Sequence, residues 1–230
     1  MYAEQFKIRP SQIGKIMTKP RTKSPLSVTA QNYCQEWLIE QRFARRKEFS
    51  SKYTDHGTKQ EHLAIDMVSK DLNIPMVKNT TRFNNSWISG EPDVDCWEFG
   101  LDTKCSWDVF TFPYFTDKLK TEYDWQNHGY LDLRPCADYW VTAFTLQDHT
   151  GDDLDYQARQ ISRAAGAPEL LFEHMELAKK RWTFDDVPLR DRIRYFVTHR
   201  DGNKIQEIHS KVEACREYIK TLEVKFASSN

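Results

Sequence analysis

The chain has 230 residues, 39% of them apolar and 13% aromatic, with a mean hydropathy of −0.74. That is enough for a sizeable core, and no apolar run approaches the length of a membrane span. The first ten residues hold no signal-peptide core, and five cysteines without a C-x-x-C pair argue against a zinc ribbon or an iron–sulfur spacing and fit a reducing, cytoplasmic setting. The formal charge of −1 hides an asymmetry: residues 1–60 carry 12 Lys/Arg against 5 Asp/Glu, and the remainder 21 against 29. A nucleic-acid face set against an acidic remainder shows such a split, as does chance surface composition.

In chain order, Ser11 to Met17 reads as a short helix with Ser11 as N-cap directly after Pro10, and a helix start bearing a hydroxyl is also a ready anion site. Thr18 to Ser27, with Pro20, Pro25 and several basic residues, reads as a loop suited to touch phosphate. Helical spacing of Tyr33, Trp37, Leu38 and Gln41 predicts a helix from about Thr29 to Arg46. Its end is dense in Arg42, Arg45, Arg46 and Lys47, which the helix dipole favours whether or not nucleic acid binds there. A second helix is predicted from Gly57 to Leu72, with Glu61 in its first turns. Pro75–Val77 and Thr80–Phe83 read as short strands, and Asn84-Asn85 as a turn.

The stretch from Gly90 to Lys104 has the pattern of a β-hairpin with acids on both arms, turning at Glu98-Phe99-Gly100 with Gly100 free to take a positive φ. Period two puts Asp102 and Lys104 on one face of the second arm and Leu101, Thr103 and Cys105 on the other; Asp93 and Asp95 share a face of the first arm. Carboxylates converging beside a lysine are what a hard divalent cation and an activated water need.

Beyond it, Trp107, Phe110, Phe112, Tyr114 and Phe115 are core residues in the ordinary case and base-stacking platforms in the rarer one. Tyr123 to Leu131 reads as a helix with Tyr123, Gln126 and Tyr130 on one side, Tyr139–Leu146 as a buried strand, and Tyr156–Trp182 as helical. A strand at Ile193–Val197, a turn at Asp201-Gly202-Asn203 and an amphipathic helix from Lys204 to Phe226 close the chain. The last helix's stripe of Ile205, Ile208, Val212, Cys215, Ile219 and Leu222 is expected to be core rather than an oligomer contact. No repeat or linker interrupts the pattern, so a single domain over residues 1–230 is expected.

Together, Ser11-Gln12-Ile13, Gly57-x-x-x-Glu61-x-x-Ala64, Gly90-x-Pro92-Asp93, Asp102-x-Lys104 and Tyr123-Asp124-Trp125-Gln126 resemble, in order and in element type, the PD-(D/E)XK nucleases. Within them the chain is most similar to the phage recombination exonucleases of the YqaJ or lambda-exonuclease-like family. The resemblance runs from about Lys7 to Leu146 and implies an α/β, restriction-endonuclease-like core: a central mixed β-sheet flanked by helices. It implies a catalytic set of Asp93, Asp102, Lys104, Glu61 and Gln126. Asp93, Asp102, the Thr103 carbonyl and Glu61 would hold one or two Mg²⁺ or Mn²⁺ ions. Lys104, its pKa lowered by that cation, would orient or deprotonate water with Gln126 steadying it. Ser11 would hold a terminal phosphate, and Arg42, Arg45, Arg46 and Tyr123 are the candidate contacts to double-stranded DNA.

Three functions follow from this resemblance. The first is a metal-dependent exonuclease on duplex ends, 5′-to-3′, feeding a single-strand-annealing protein and, as in some relatives, trimeric. The others are an endonuclease on the same fold and a DNA-binding protein without turnover. The intact Asp93, Asp102 and Lys104 disfavour the last.

Overall fold

A computed structural model describes residues 1–21, 23–47, 52–96 and 98–228. Four strands make the central sheet: β3 (Val94–Asp95), β4 (Phe99–Ser106), β5 (Tyr139–Leu146) and β6 (Ile193–His199), after a separate two-stranded ribbon of β1 (Phe83–Asn84) and β2 (Ser89–Gly90). The order is β3-β4-β5-β6, parallel only between β4 and β5 and antiparallel at both flanking pairs. The parallel step needs a crossover, and α4 (Thr121–Leu133) supplies it. This is the mixed sheet flanked by helices that the resemblance implied.

Side-chain parity divides the layers. Leu101, Val141, Ala143 and Ile193 point to one face, where Ile65 and Val68 of α3 (Lys52–Leu72) cover them. Trp140 points to the other face and joins the largest cluster with α1 (Ile13–Ile16), α2 (Val28–Phe43), Leu131 of α4 and the stripe of α7 (Gly202–Ser228). That stripe, Ile205, Ile208, Val212, Cys215 and Ile219, is buried core as expected. α5 (Asp152–Ala165) and α6 (Leu171–Trp182) form a hairpin inserted between β5 and β6.

Several boundaries differ from expectation. Ser11 does not cap a helix: Pro10 opens a 3-10 turn over Pro10–Gln12 and places Ser11 inside it, without a capping bond. Ser27 caps α2 instead, its hydroxyl accepting from Ala30 N at 3.1 Å, and the helix stops at a left-handed Ala44, so Arg45, Arg46 and Lys47 lie beyond it. α3 starts at Lys52 rather than Gly57, and α7 at Gly202, where the expected turn was placed. No strand forms at 75–77 or 80–82, and Asn84 is paired while Asn85 makes the turn by accepting from Trp87 N and Ile88 N. The long helix expected over 156–182 is two, broken where Gly166 takes φ +63 ahead of Pro168.

The largest correction concerns Gly100. It lies inside β4, not in the turn, and its φ is not positive. Its reason is close approach: a Cβ there would stand 2.0 Å from the Trp140 ring, opposite it in the parallel register. Trp140 is fully buried and stacked on Tyr130 at 4.9 Å, so it has nowhere to move. At Gly129 an added Cβ overlaps the Cδ1 end of Ile13, at 2.3 Å, and stands at an ordinary 3.4 Å from Pro10. Gly100→Ala is therefore expected to cost about 1–3 kcal/mol in urea unfolding, as overpacking does. Gly129→Ala should cost clearly less, because helix propensity offsets part of the strain; equal costs would refute the packing argument.

Candidate active site

The site begins where the sheet loses its edge. β3 pairs with β4 only at Val94–Leu101 and Asp95–Gly100. Continuing that register would bring Pro92 opposite Thr103, but proline has no N–H to give the ladder. The chain leaves the sheet there, and the Asp93 carboxylate takes over. Its Oδ2 accepts from Thr103 N at 2.7 Å and from Thr103 Oγ1 at 2.8 Å. Since N–H and C=O of one extended residue point to the same edge, the Thr103 carbonyl lies on this open edge too. The departing segment is clamped at each residue: Tyr130 Oη donates to the Glu91 carbonyl, and Asn79 bonds the carbonyls of Pro92 and Asp93.

Asp102 and Lys104 emerge on the α4 face of β4, as the period of two requires. Asp102 is buried; its Oδ1 accepts from Gln126 Nε2 at 2.9 Å, and its Oδ2 faces the Lys104 ammonium as an ion pair. Gln126 is aimed by its neighbour. Asn127 Nδ2 donates to Thr142 Oγ1 and Thr198 Oγ1, both at 2.9 Å and buried, which locks α4 onto β5 and β6. Tyr123, one turn earlier, sets its ring 5.2 Å from the Lys104 ammonium.

A cleft of about 670 Å³ opens over these groups. Ser11, Glu61, Asp93, Thr103, Lys104, Tyr123 and Gln126 all line it. Gly57 lies on its wall one helical turn before Glu61, where a Cβ would meet nothing within 4 Å. Glu61 pairs with Lys78 at 3.1 Å, and Asp95 turns away to Arg134 at 2.7 Å. Arg42, Arg45 and Arg46 do not line the cleft; Arg42 lies over Phe226 of α7. Asn79, Asn127 and Lys78 were not singled out from the sequence, and neither was His56 on the cleft wall; Trp107, expected as core or stacking platform, lies on that wall as well. Only Asn127, next to Gln126 on a helix facing a sheet, left a usable signal.

Electrostatics follow from the burial. Desolvation pushes the Asp102 carboxyl up to about 7, against the pull of Lys104 and helped by the charge of Asp93. Burial alone would lower Lys104, but Asp102 and Asp93 outweigh it and hold the ammonium above the ordinary lysine value. The lowering expected from an adjacent cation is thus opposed by the protein's own carboxylates. A hard cation fits this donor set. Asp93 and Asp102 are each steadied through one oxygen by a neutral donor, and the second oxygen of Asp102 is buried against the Lys104 ammonium.

Fold and site together define a mixed α/β nuclease fold. The chain is similar to a phage-related exonuclease from Haemophilus somnus 129PT, with a TM-score of 0.78 and 27% identity over 96% of both chains. It shares its fold with an alkaline exonuclease, LHK-Exo, from Laribacter hongkongensis (TM-score 0.66, 16% identity, 97% of this chain and 95% of that one) and with LHK-Exo in complex with dAMP (TM-score 0.65, 18% identity, 97% and 95%). These neighbours agree with the resemblance to the YqaJ or lambda-exonuclease-like family. No protein-family model and no curated protein matches the sequence. Among the described residues no helix is long and apolar enough to cross a membrane.

Between 3.8 and about 7 the folded chain keeps a proton on Asp102 that the unfolded chain has released. This group's contribution to stability is therefore complete below the unfolded value and lost as pH rises through about 7. In chelator, carbon NMR of labelled aspartate should show one carboxyl titrating near 7, absent in Asp102→Asn. A titration of Asp102 below pH about 5 would show that Lys104, not burial, governs the group.

Proposed function

We propose that the chain is a metal-dependent DNA exonuclease that hydrolyses phosphodiester bonds at duplex ends from 5′ to 3′, on a PD-(D/E)XK centre. The observation that carries it is the convergence of Glu61, Asp93, Lys104 and Gln126 on one cleft, with Asp102 held between Lys104 and Gln126. Likeness to a phage-related exonuclease over nearly the whole of both chains supports the same reading and a role in phage recombination.

Asp93, Asp102, the Thr103 carbonyl and Glu61 would hold the divalent ion, Mg²⁺ or Mn²⁺, by their oxygens. Such an ion supplies Lewis acidity against the charge developing on phosphate and makes water a better nucleophile. Gln126 keeps Asp102 in register with Lys104, whose ammonium reaches the cleft to orient the attacking water. Glu61, whose partner Lys78 is half exposed, would be free to turn to the cation. Ser11, which lines the same cleft as Lys120, would receive a terminal phosphate. Double-stranded DNA is the substrate; Arg42, Arg45 and Arg46, away from the cleft, are proposed contacts to its flanking duplex. A single-strand-annealing protein as partner and a homo-oligomer belong to the same reading.

Linear and covalently closed circular duplexes, each with Mg²⁺ or EDTA, test it. Linear DNA alone should be lost, only with metal, and Lys104→Ala should slow this at least about 100-fold. Nicking of circles would make the chain an endonuclease, and binding without cleavage would leave a scaffold without turnover. Ser11→Ala should lose about tenfold of any preference for 5′-phosphorylated over 5′-hydroxyl ends, the worth of one bond to a charged group. An unchanged preference would remove Ser11 from phosphate recognition.

A further inference from the structure

Five residues before Glu61 the same helix carries a different kind of site. His56 on α3, His149 in the turn after β5 and Asp153 on α5 place ligand atoms within 4.8 Å of one another, the one such trio of His, Cys or acidic side chains among the described residues. Both rings are buried and lie 4.4 Å apart between centroids, with Trp107 edge-on to each. His56 Nδ1 is 3.2 Å from Asp153 Oδ2, close to the edge of a tetrahedron built from bonds of about 2.0 Å.

Two observations point to a ligand. His149 binds the Trp107 carbonyl through Nε2 at 2.7 Å, so that nitrogen carries the proton and Nδ1 presents a lone pair. Yet His149 Nδ1 is buried with no hydrogen-bond partner, while His56 turns its Nδ1 to Asp153. Orphaned polar atoms in a buried site cost stability unless something meets them. Burial, the dominant effect, lowers His149 and keeps it in the neutral form that metals bind. Two charges oppose a cation here. Lys59 lies 3.6 Å from Asp153 Oδ1, but its side chain is half exposed and free to swing into water. The positive end of α5 is about half a charge, against Asp152, Asp153 and Asp155 in its first turn.

We propose that His56, His149 and Asp153 form a binding site for a divalent transition metal of the Zn²⁺ class, separate in donor set from the carboxylate centre. Imidazole nitrogens select such ions over Mg²⁺, which the all-oxygen centre suits. His56 also lines the cleft, so the ion would sit beside it. The ion would tie α3, the turn after β5 and α5 together.

Titration of the full chain with Co²⁺ tests this. One equivalent should give visible ligand-field bands without a thiolate charge-transfer band, displaced by Zn²⁺ and not by excess Mg²⁺. Asp153→Asn and His149→Phe should each weaken binding at least tenfold, whereas Asp93→Asn and Asp102→Asn should keep the bands. Because His149→Phe alters a buried site, Asp153→Asn, at a partly exposed position, decides the matter with its fold checked by circular dichroism. Zn²⁺ should raise the melting temperature of the wild type and not of Asp153→Asn. Absence of bands, as when water meets His149 Nδ1, overturns the proposal. So does a thiolate band from the five free cysteines, binding unchanged in Asp153→Asn, or bands lost in the carboxylate-centre variants.

Discussion

The missing N–H of Pro92 is the constraint on which the rest of the site depends. A residue with an amide there could extend β3 along β4, and Thr103 N–H would meet a backbone carbonyl like any inner strand residue. Proline ends the ladder after two pairs, so a buried donor needs a partner, and the next residue's carboxylate provides it. Proline and aspartate thus act as one unit, the first creating the open edge and the second filling it. A third group comes with them, because the Thr103 carbonyl is carried to the same edge. The acidic centre is less an addition to the sheet than the form its interruption takes.

Such an edge must still be held against the cost of collecting negative charge. Asp102 lies in a protein interior near Asp93 and Glu61, and its carboxyl is correspondingly hard to ionise. Lys104 offsets part of this, but it is itself largely removed from water, and buried pairs seldom recover their full desolvation. What keeps the arrangement in place is uncharged: Asn127 bound to Thr142 and Thr198, Tyr130 stacked on Trp140, and Trp140 passing over a glycine on β4. Stability lost at the carboxylates is offset in the sheet behind them, and a cation would remove the remaining repulsion.

Much of this was legible from spacing because the chemistry is local in sequence. Asp93, Asp102 and Lys104 lie within twelve residues, and a period of two suffices to orient the last two. Glu61 and Gln126 needed a pattern longer than any one element, which resemblance supplied. Gly100 was misread for a physical reason: glycine serves both positive φ and close approach, and the ring that demands it is forty residues away. Ser11 was misread because Pro10 and a serine cap compete for the same helix start. Gly166 and Pro168 do mark the break between α5 and α6, which a single helix over 156–182 passes over.

The histidines were beyond that kind of reading. His56 and His149 are separated by a full sheet crossover, and neither sits in a spacing that marks a ligand. Their juxtaposition comes from Trp107, which follows the last residue of β4, closes edge-on against both rings and accepts a hydrogen bond from one. The same strand therefore serves both ends of the cleft. Its middle residues gather hard oxygen donors on an open edge, and its exit lays a dry aromatic wall against two imidazoles. Where α3 spans the two, with His56 at one end and Glu61 at the other, a shift of that helix would be felt by both donor sets at once. Coupling of that kind needs no pathway beyond one and a half turns of rigid helix.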